Sequence, residues 1–596
     1  MRFYYDDVNK ITVENKENVD YIYFRNQRID LKQADSFYTE PLDLAQRYMI
    51  EDAVGRHYLL EYRFITKTDW FLERYDARDE PLGALVKGDQ TVFRLWAPSA
   101  HAVSLLVDGC RFTMERKDKG IFEYTFKENL HGSYYTYEVE VNGHINTTID
   151  PYALASGLNQ SASVVCDLSR FKDEITPLPA LKKPRILELH VRDFTMDPNV
   201  GFKHKGKLLG LIESVGAYGF AHVQSMNINT VQVMPLHDFA TVDERNPLAS
   251  YNWGYDPMQY FALEGSYSSN PNDPFQVMRD LRTVIDTYHQ NNLHVTLDVV
   301  FNHVYDVKHS SFHKTVPYYF FRYNQDGTLC NGSFCGNEFA TEMPMARKLI
   351  VASCKFFTEF YQFDGFRFDL MGLMDRKTME KIAAACPDAF LYGEGWQMEC
   401  GLSEAERAHM GHADHLPRYS FFNDDIRDRI AGSLDGKTRG ILGENESLSS
   451  LIDNLLGTKK LFKDPIQSIN YIECHDNLTL ADRLSKQNLT AQEALFLTQV
   501  MILASGVPLL QIGQSFYRDK KGVANSYRSS DAINHIPWAL LDKYKVMHQK
   551  INRILDFKKY HHEIKEVIEL DPYRLILDYS KNRVLVDKLN KKISLL

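Results

Sequence analysis

The sequence predicts an α/β protein built on a closed (β/α)8 barrel, the TIM-barrel fold, preceded by β-sandwich modules and followed by a short β remnant. Beyond Pro177-Leu-Pro179, strand-like apolar runs alternate with helical stretches, the pattern of a parallel sheet wrapped by helices. Seven such runs are read at 186–191, 230–234, 294–300, 363–370, 389–393, 468–472 and 507–512, with an eighth near 419–422. Buried charges fall at the carboxyl ends of these runs, where barrels of this class carry their sites. No Gly-rich phosphate loop follows the first run, which argues against an open parallel sheet.

The elements follow in order. Residues 1–85 carry short aromatic and β-branched runs such as Tyr21-Ile-Tyr-Phe24 and are read as a β-rich module. Residues 86–178 hold alternating runs at 91–96, 102–107 and 134–141, punctuated by Asp108-Gly109 and Asn142-Gly143 turn signals, as in an antiparallel sandwich. The barrel spans 179–562. Its segment 305–344 is too long for a simple βα loop and is expected to form a small lobe over the mouth. The last helix is read at 544–560, leaving 563–596 with two or three strand-like pieces, too little for a full sandwich.

Composition excludes several classes. The 596 residues are 44% hydrophobic and 25% charged, with net charge −10 and no long basic run, so no nucleic-acid partner is expected. No apolar run approaches the roughly 20 residues that span a bilayer, so no membrane partner is expected either. The start, Met1-Arg-Phe-Tyr-Tyr-Asp-Asp7, has no apolar leader core, and a cytoplasmic chain is expected. The eight cysteines are scattered, without paired C-x-x-C motifs, and are expected to be free thiols; Cys330 and Cys335 share one loop and are the pair placed to bridge.

The chemistry begins at Asp364-Gly-Phe-Arg-Phe-Asp369-Leu370 and Gly393-Glu394-Gly395-Trp396. Each reads as the end of a buried strand, and 373–386 has the length of one crossover helix. Two neighbouring parallel strands therefore bring Asp369 and Glu394 to the same end. Arg367 and Asp369 are charges that an apolar interior accepts only with a partner. Facing carboxylates are what glycosidic bond cleavage needs: an anion to attack the anomeric carbon and an acid to protonate the leaving oxygen. Asp364 is read as structural, in the turn leading into its strand.

Two further segments, Asp298-Val-Val-Phe-Asn302-His303 and Tyr471-Ile-Glu-Cys-His475-Asp476-Asn477, complete a set of four that resembles the signature regions of the α-amylase family of glycoside hydrolases. Tyr251-Asn-Trp-Gly-Tyr-Asp-Pro257 is similar to the segment that marks type I pullulanases. Glu188-Leu-His-Val-Arg-Asp-Phe194 and Phe421-Phe-Asn-Asp424 also resemble pullulanase segments, and Phe93-Arg-Leu-Trp-Ala-Pro-Ser99 resembles the start of the carbohydrate-binding module that precedes the barrel in debranching enzymes. The resemblance covers roughly 86–560.

It implies hydrolysis of α-1,6 branch linkages in pullulan, limit dextrins or fragments of glycogen and amylopectin, by a retaining double displacement. Asp369 would be the nucleophile, Glu394 the acid and then base, and Asp476 the transition-state stabiliser. Arg367, counted among the substrate-binding residues, would keep Asp369 ionised and oriented, His303 and His475 would bind the sugar, and Tyr255 would stack under it. Trp253, Trp396 and Asn477 join the expected substrate contacts, while Asp298 and Asn302 are expected to organise the site. The partner is a branched α-glucan. No cofactor is called for, and no segment has EF-hand spacing, so no metal, structural calcium included, is assigned. The rival readings are a neopullulanase-like α-1,4 hydrolase and a glucan-binding protein with impaired catalysis. The sequence departs from the family pattern at Ser515, expected to touch a contact near the barrel mouth, at Ser225-Met-Asn-Ile-Asn229, and in its short tail, expected to leave apolar barrel surface uncovered.

Overall fold

The structure, a computed structural model, describes residues 1–16, 19–31 and 35–596. Eight parallel strands close a barrel: β1 (Ile186–Leu189), β2 (Thr230–Val233), β3 (His294–Val299), β4 (Gly365–Phe368), β5 (Phe390–Gly393), β6 (Tyr419–Phe422), β7 (Ser468–Asn470) and β8 (Val507–Gln511). Pairing of Glu188 with Gln511 shuts the ring between β1 and β8. Nearly every strand residue is buried, which explains why these runs are continuously apolar rather than alternating. The expected eighth strand is β6, in sequence between β5 and β7.

Between β4 and β5 runs helix α1 (Arg376–Ala385), started by Asp375, whose side chain accepts from the Thr378 amide. Asp364 sits at the opposite end of β4, where it accepts from His289, from His294 and from the Val295 amide, the structural role expected of it.

A seven-stranded sheet forms from strands between Arg2 and Tyr62, with an otherwise antiparallel order interrupted by the parallel pairing of Phe3–Tyr5 with residues 60–62. A four-stranded and a six-stranded sheet follow, facing each other across Phe93, Leu95, Val103, Leu105, Tyr137 and Val139. Gly83–Lys87 pairs with Gln90–Trp96, so a boundary at 85/86 cuts a hairpin; the second module starts before Gly83. Trp96 is a core aromatic: its indole donates to the Tyr75 carbonyl and its ring packs 4.8 Å from Tyr319 of the lobe. The lobe itself is fixed at both ends, by Lys67 on the carbonyls of Tyr319 and Phe321 and by the Phe339 amide on the Asn302 carbonyl.

The tail corrects the sequence reading. It forms four antiparallel strands, Glu566–Asp571, Arg574–Asp578, Arg583–Asp587 and Lys592–Leu595, not two or three. Leu575, Leu577, Val584 and Val586 are buried on its inner face, and the Tyr579 hydroxyl donates to the Leu503 carbonyl. That carbonyl ends helix α2 (Ala491–Leu503), which is buried nearly all round because barrel and tail sheet cover it from two sides. The short tail thus covers apolar surface expected to lie open. Among the described residues no helix is long and apolar enough to cross a membrane. All eight cysteines are free, so Cys330 and Cys335 are not bridged.

Candidate active site

The cleft at the carboxyl end of the barrel has a volume of about 720 Å³, and Trp253, Tyr255, His303, Asp369, Glu394, His475, Asp476 and Asn477 all line it. The barrel register explains the meeting of its central groups. Phe368 pairs with Gly393, so the next residues along β4 and β5 emerge side by side. Arg367, 1% exposed, lies one layer below and points into the barrel. Its Nη1 donates to Asp298 at 2.9 Å and to Asp369 at 3.0 Å, while Nη2 lies 2.6 Å from Glu394. One guanidinium therefore ties three carboxylates from β3, β4 and β5, the planar fork that only arginine supplies. Arg367 does not line the cleft. Its guanidinium is taken up by the three carboxylates.

Asn302, also expected to organise the site, donates through Nδ2 to both the carbonyl and Oδ2 of Asp369, at 2.9 and 2.8 Å. Asp298 is fully buried and accepts from the Tyr255 hydroxyl at 2.7 Å; burial raises its pKa to about 6 despite Arg367. Burial also pushes Glu394 up to about 7, against the pull of Arg367 and with help from Asp369 and Asp476. The main-chain amide of Leu370 donates to Glu394 Oε2 at 3.2 Å. Leu370 itself is left-handed, φ 40°, a strained conformation directly after Asp369.

His475 binds Glu188 twice, through Nδ1 and through its main-chain amide, each at 2.8 Å. Burial opposes its charge, but Glu188 and Asp476 prevail and lift its pKa to about 9, so it is an imidazolium at neutral pH. Tyr255 stacks on this ring at 5.1 Å and 18°, and Trp253 meets it edge-on at 5.1 Å and 84°. Gly254, with φ 99°, makes both contacts available to one short segment; a Cβ there would also press on the Pro235 carbonyl oxygen at 2.9 Å. His303 lies with Nδ1 2.6 Å from Asn302 Oδ1 and Nε2 2.9 Å from the Tyr255 carbonyl oxygen, and burial lowers its pKa. Asp476 stands half-exposed at the mouth, and the Asn477 amide donates to Asn525.

Trp396 lies outside this cleft. It lines an adjoining cavity of about 250 Å³ that shares Glu394, Asp476 and Asn477 with it. Ser515 is also elsewhere: it is buried against His548 Nδ1 at 3.1 Å, under the helix Lys545–Tyr560, so its substitution does not touch the barrel mouth.

Sequence reasoning gave no role to Glu188, whose position as a carboxylate inside the apolar run Ile186–Leu189 carried the same signal as Arg367. It also missed Lys520, buried over the Trp253 ring at 4.8 Å with its ammonium on Ser526 at 2.9 Å. Asn525, Tyr527 and Arg528 of that loop line the cleft, as do Phe334 and Cys335 of the lobe. Nothing periodic marks these loops. Among the described residues two groups offer at least three metal-ligating atoms within 4.8 Å of one another: Asp238, Glu244 and Glu264, all buried, and Glu404, His409 and His412.

The comparisons with known proteins agree with this geometry. Residues 81–153 match carbohydrate-binding module 48, the isoamylase N-terminal domain. The chain is 36% identical over 552 residues to a pullulanase of Bacillus subtilis (strain 168), covering 87% of this chain and 77% of that protein. It is 29% identical to pullulanase A of Streptococcus pneumoniae, of which it spans 43%. Pullulanase from Anoxybacillus sp. LM18-11 complexed with maltotetraose superposes with a TM-score of 0.92 at 31% identity, over 99% of this chain and 94% of that one. Type I pullulanase from Bacillus subtilis str. 168 complexed with maltose gives 0.91 at 32%, over 98% and 92%. Barrel and carboxylate pair together define a glycoside hydrolase of the amylase type. Within that class, the chain belongs to the pullulanase family.

Proposed function

We propose that this chain hydrolyses α-1,6-glucosidic branch linkages in pullulan, limit dextrins or fragments of glycogen and amylopectin by double displacement. The observation that carries the reading is the shared guanidinium of Arg367, which binds Asp369 and Glu394 at once. Asp369, held by Arg367 and Asn302, attacks the anomeric carbon while Glu394, protonated near neutral pH because it is buried, gives its proton to the departing oxygen. Glu394 then takes a proton from water, which cleaves the glycosyl ester and returns the anomeric configuration. Asp476 and the imidazolium of His475 bind sugar hydroxyls as positive charge develops, with His303, Tyr255, Trp253 and Asn477 around the ring. Trp396 lies on the leaving-group side, in the adjoining cavity.

The same proposal divides the chain into a β-rich module (1 to about 80), a carbohydrate-binding sandwich (to 178), the barrel (179–562) and the tail sheet (563–596), on the support of their separate sheets. It also places the enzyme in a reducing compartment such as the cytoplasm, on the support of its free thiols.

The test is reducing-end release from pullulan by wild type and Asp369→Asn, with the products sized. Maltotriose from wild type alone is the expected result. Panose would establish α-1,4 cleavage, and dextrin binding without turnover would establish a glucan-binding protein; either result overturns the reading.

A further inference from the structure

The loop after Glu394 carries histidines at 409, 412 and 415, on and beside the short 3-10 segment Met410–His415. His409 caps this segment and the backbone kinks at His412, with φ −107° and ψ 22°. The rings of His409 and His412 lie 4.1 Å apart, and His415 follows 6.1 Å further along. Glu404 faces the first two: its Oε1 lies 2.9 Å from His409 Nε2 and 3.5 Å from His412 Nε2.

We propose that Glu404, His409 and His412 form a binding site for a first-row divalent transition metal, zinc being the best fit, on the loop that follows the candidate acid. Two imidazoles and one carboxylate converging within 4.8 Å are a donor set suited to such ions, with a fourth position left to water. His412 is preorganised for it. Its Nδ1 sits 3.1 Å from the Arg407 carbonyl, which fixes the tautomer that leaves Nε2 with a free lone pair. Arg407 does not compete for Glu404, because its guanidinium is spent on the carbonyls of Met398, Cys400 and Leu402.

His409 needs one proton shift. Its Nδ1 accepts from the Gly411 amide at 3.0 Å, which puts its proton on Nε2, facing Glu404. Metal replaces the Nε2 proton, Nδ1 takes one up, and the amide of exposed Gly411 turns to water. The site is tied to the cleft through the main chain: the Met410 amide donates to the Gly395 carbonyl at 2.8 Å, and the Ala408 amide to the Met374 carbonyl at 2.9 Å.

The test uses the full chain, stripped with chelator under reducing conditions and titrated with Zn²⁺ against a chromophoric chelator. One site per chain is expected, weakened at least about tenfold in both His412→Ala and Glu404→Gln. His204→Ala, outside the cluster, should leave it unchanged. Co²⁺ should give visible d–d bands without the near-ultraviolet charge transfer of thiolate ligands, and His412→Gln should abolish those bands with circular dichroism unaltered. Equal Zn²⁺ affinity in wild type and His412→Ala, no measurable binding by wild type, or a thiolate signature overturns the proposal.

Discussion

Arg367 Nη2 lies 2.6 Å from Glu394 Oε1, inside a barrel where Arg367 is 1% exposed. A cation so close favours the ionised carboxylate, yet Glu394 is pushed up to about 7, because its burial and the neighbouring Asp369 and Asp476 outweigh the attraction. The same guanidinium holds Asp369 at 3.0 Å. One carboxylate is thereby placed to attack while the other keeps a proton to give, the division of labour that the proposed reaction requires.

Glu394→Gln removes the proton donor without changing its shape. Its kcat on pullulan should fall by about 10²–10⁴-fold, the usual share of a positioned general acid. Asp369→Asn should fall at least as far. Parallel dextrin-binding measurements check that the cleft still takes up substrate.

The pH profile of kcat/KM should lose its alkaline limb near pH 7, as Glu394 ionises. Asp476 contributes to that raised value, so the residual activity of Asp476→Asn should fall off at lower pH than wild type. Stability follows the same sign. A carboxyl group whose folded pKa lies above its unfolded value contributes most below the unfolded value and loses that contribution as pH rises through about 7. Denaturant melts of Glu394→Gln and wild type should therefore differ more in the variant's favour at pH 8 than at pH 5.

Glu188→Gln tests the opposite titration. Its partner His475 has a folded pKa of about 9, so the stability it contributes is complete below its ordinary value of 6.5 and is lost as pH rises through 9. Removing one member of a buried pair costs about 3–5 kcal/mol. Urea unfolding at pH 6 should show a loss of that order, narrowing above pH 9. The variant's KM for dextrins should also rise, because Tyr255 and Trp253 would pack on a histidine no longer held in place.

Gly372→Ala tests the support behind the acid. A Cβ at Gly372 would overlap the carbonyl oxygen of Trp396, and the Gly372 amide donates to the Glu394 carbonyl at 3.1 Å. Overpacking of this kind costs about 1–3 kcal/mol. A lower Tm together with a reduced kcat at unchanged KM is expected, since the shift falls on the segment carrying Glu394 and not on the sugar-facing rings.

The sequence by itself determined the barrel, because each strand is buried on both faces and so reads as an unbroken apolar run, and a charge within such a run stands out. Arg367, Asp369 and Glu394 were legible for that reason, each at or beside the end of a strand whose direction the alternating pattern fixes, whereas Asp476, in the loop after β7, was singled out by the resemblance of its segment to the α-amylase family. What the tertiary structure decided is which of these groups touch. Glu188 meets His475 across 287 positions, on β1 and after β7, only because the sheet closes on itself. Lys520 reaches the Trp253 ring, and Asn525, Tyr527 and Arg528 reach the cleft, because β8 returns beside β1, and no periodicity in an irregular loop records where it will lie. Ser515 went the other way: shortly after the end of β8 it looked like a mouth residue, but the chain turns there through left-handed Gly513 and buries its hydroxyl against His548. Local pattern encodes burial, since hydrophobic period reports which face is dry. Contacts between distant strands are set by closure and packing, which no short stretch of sequence contains.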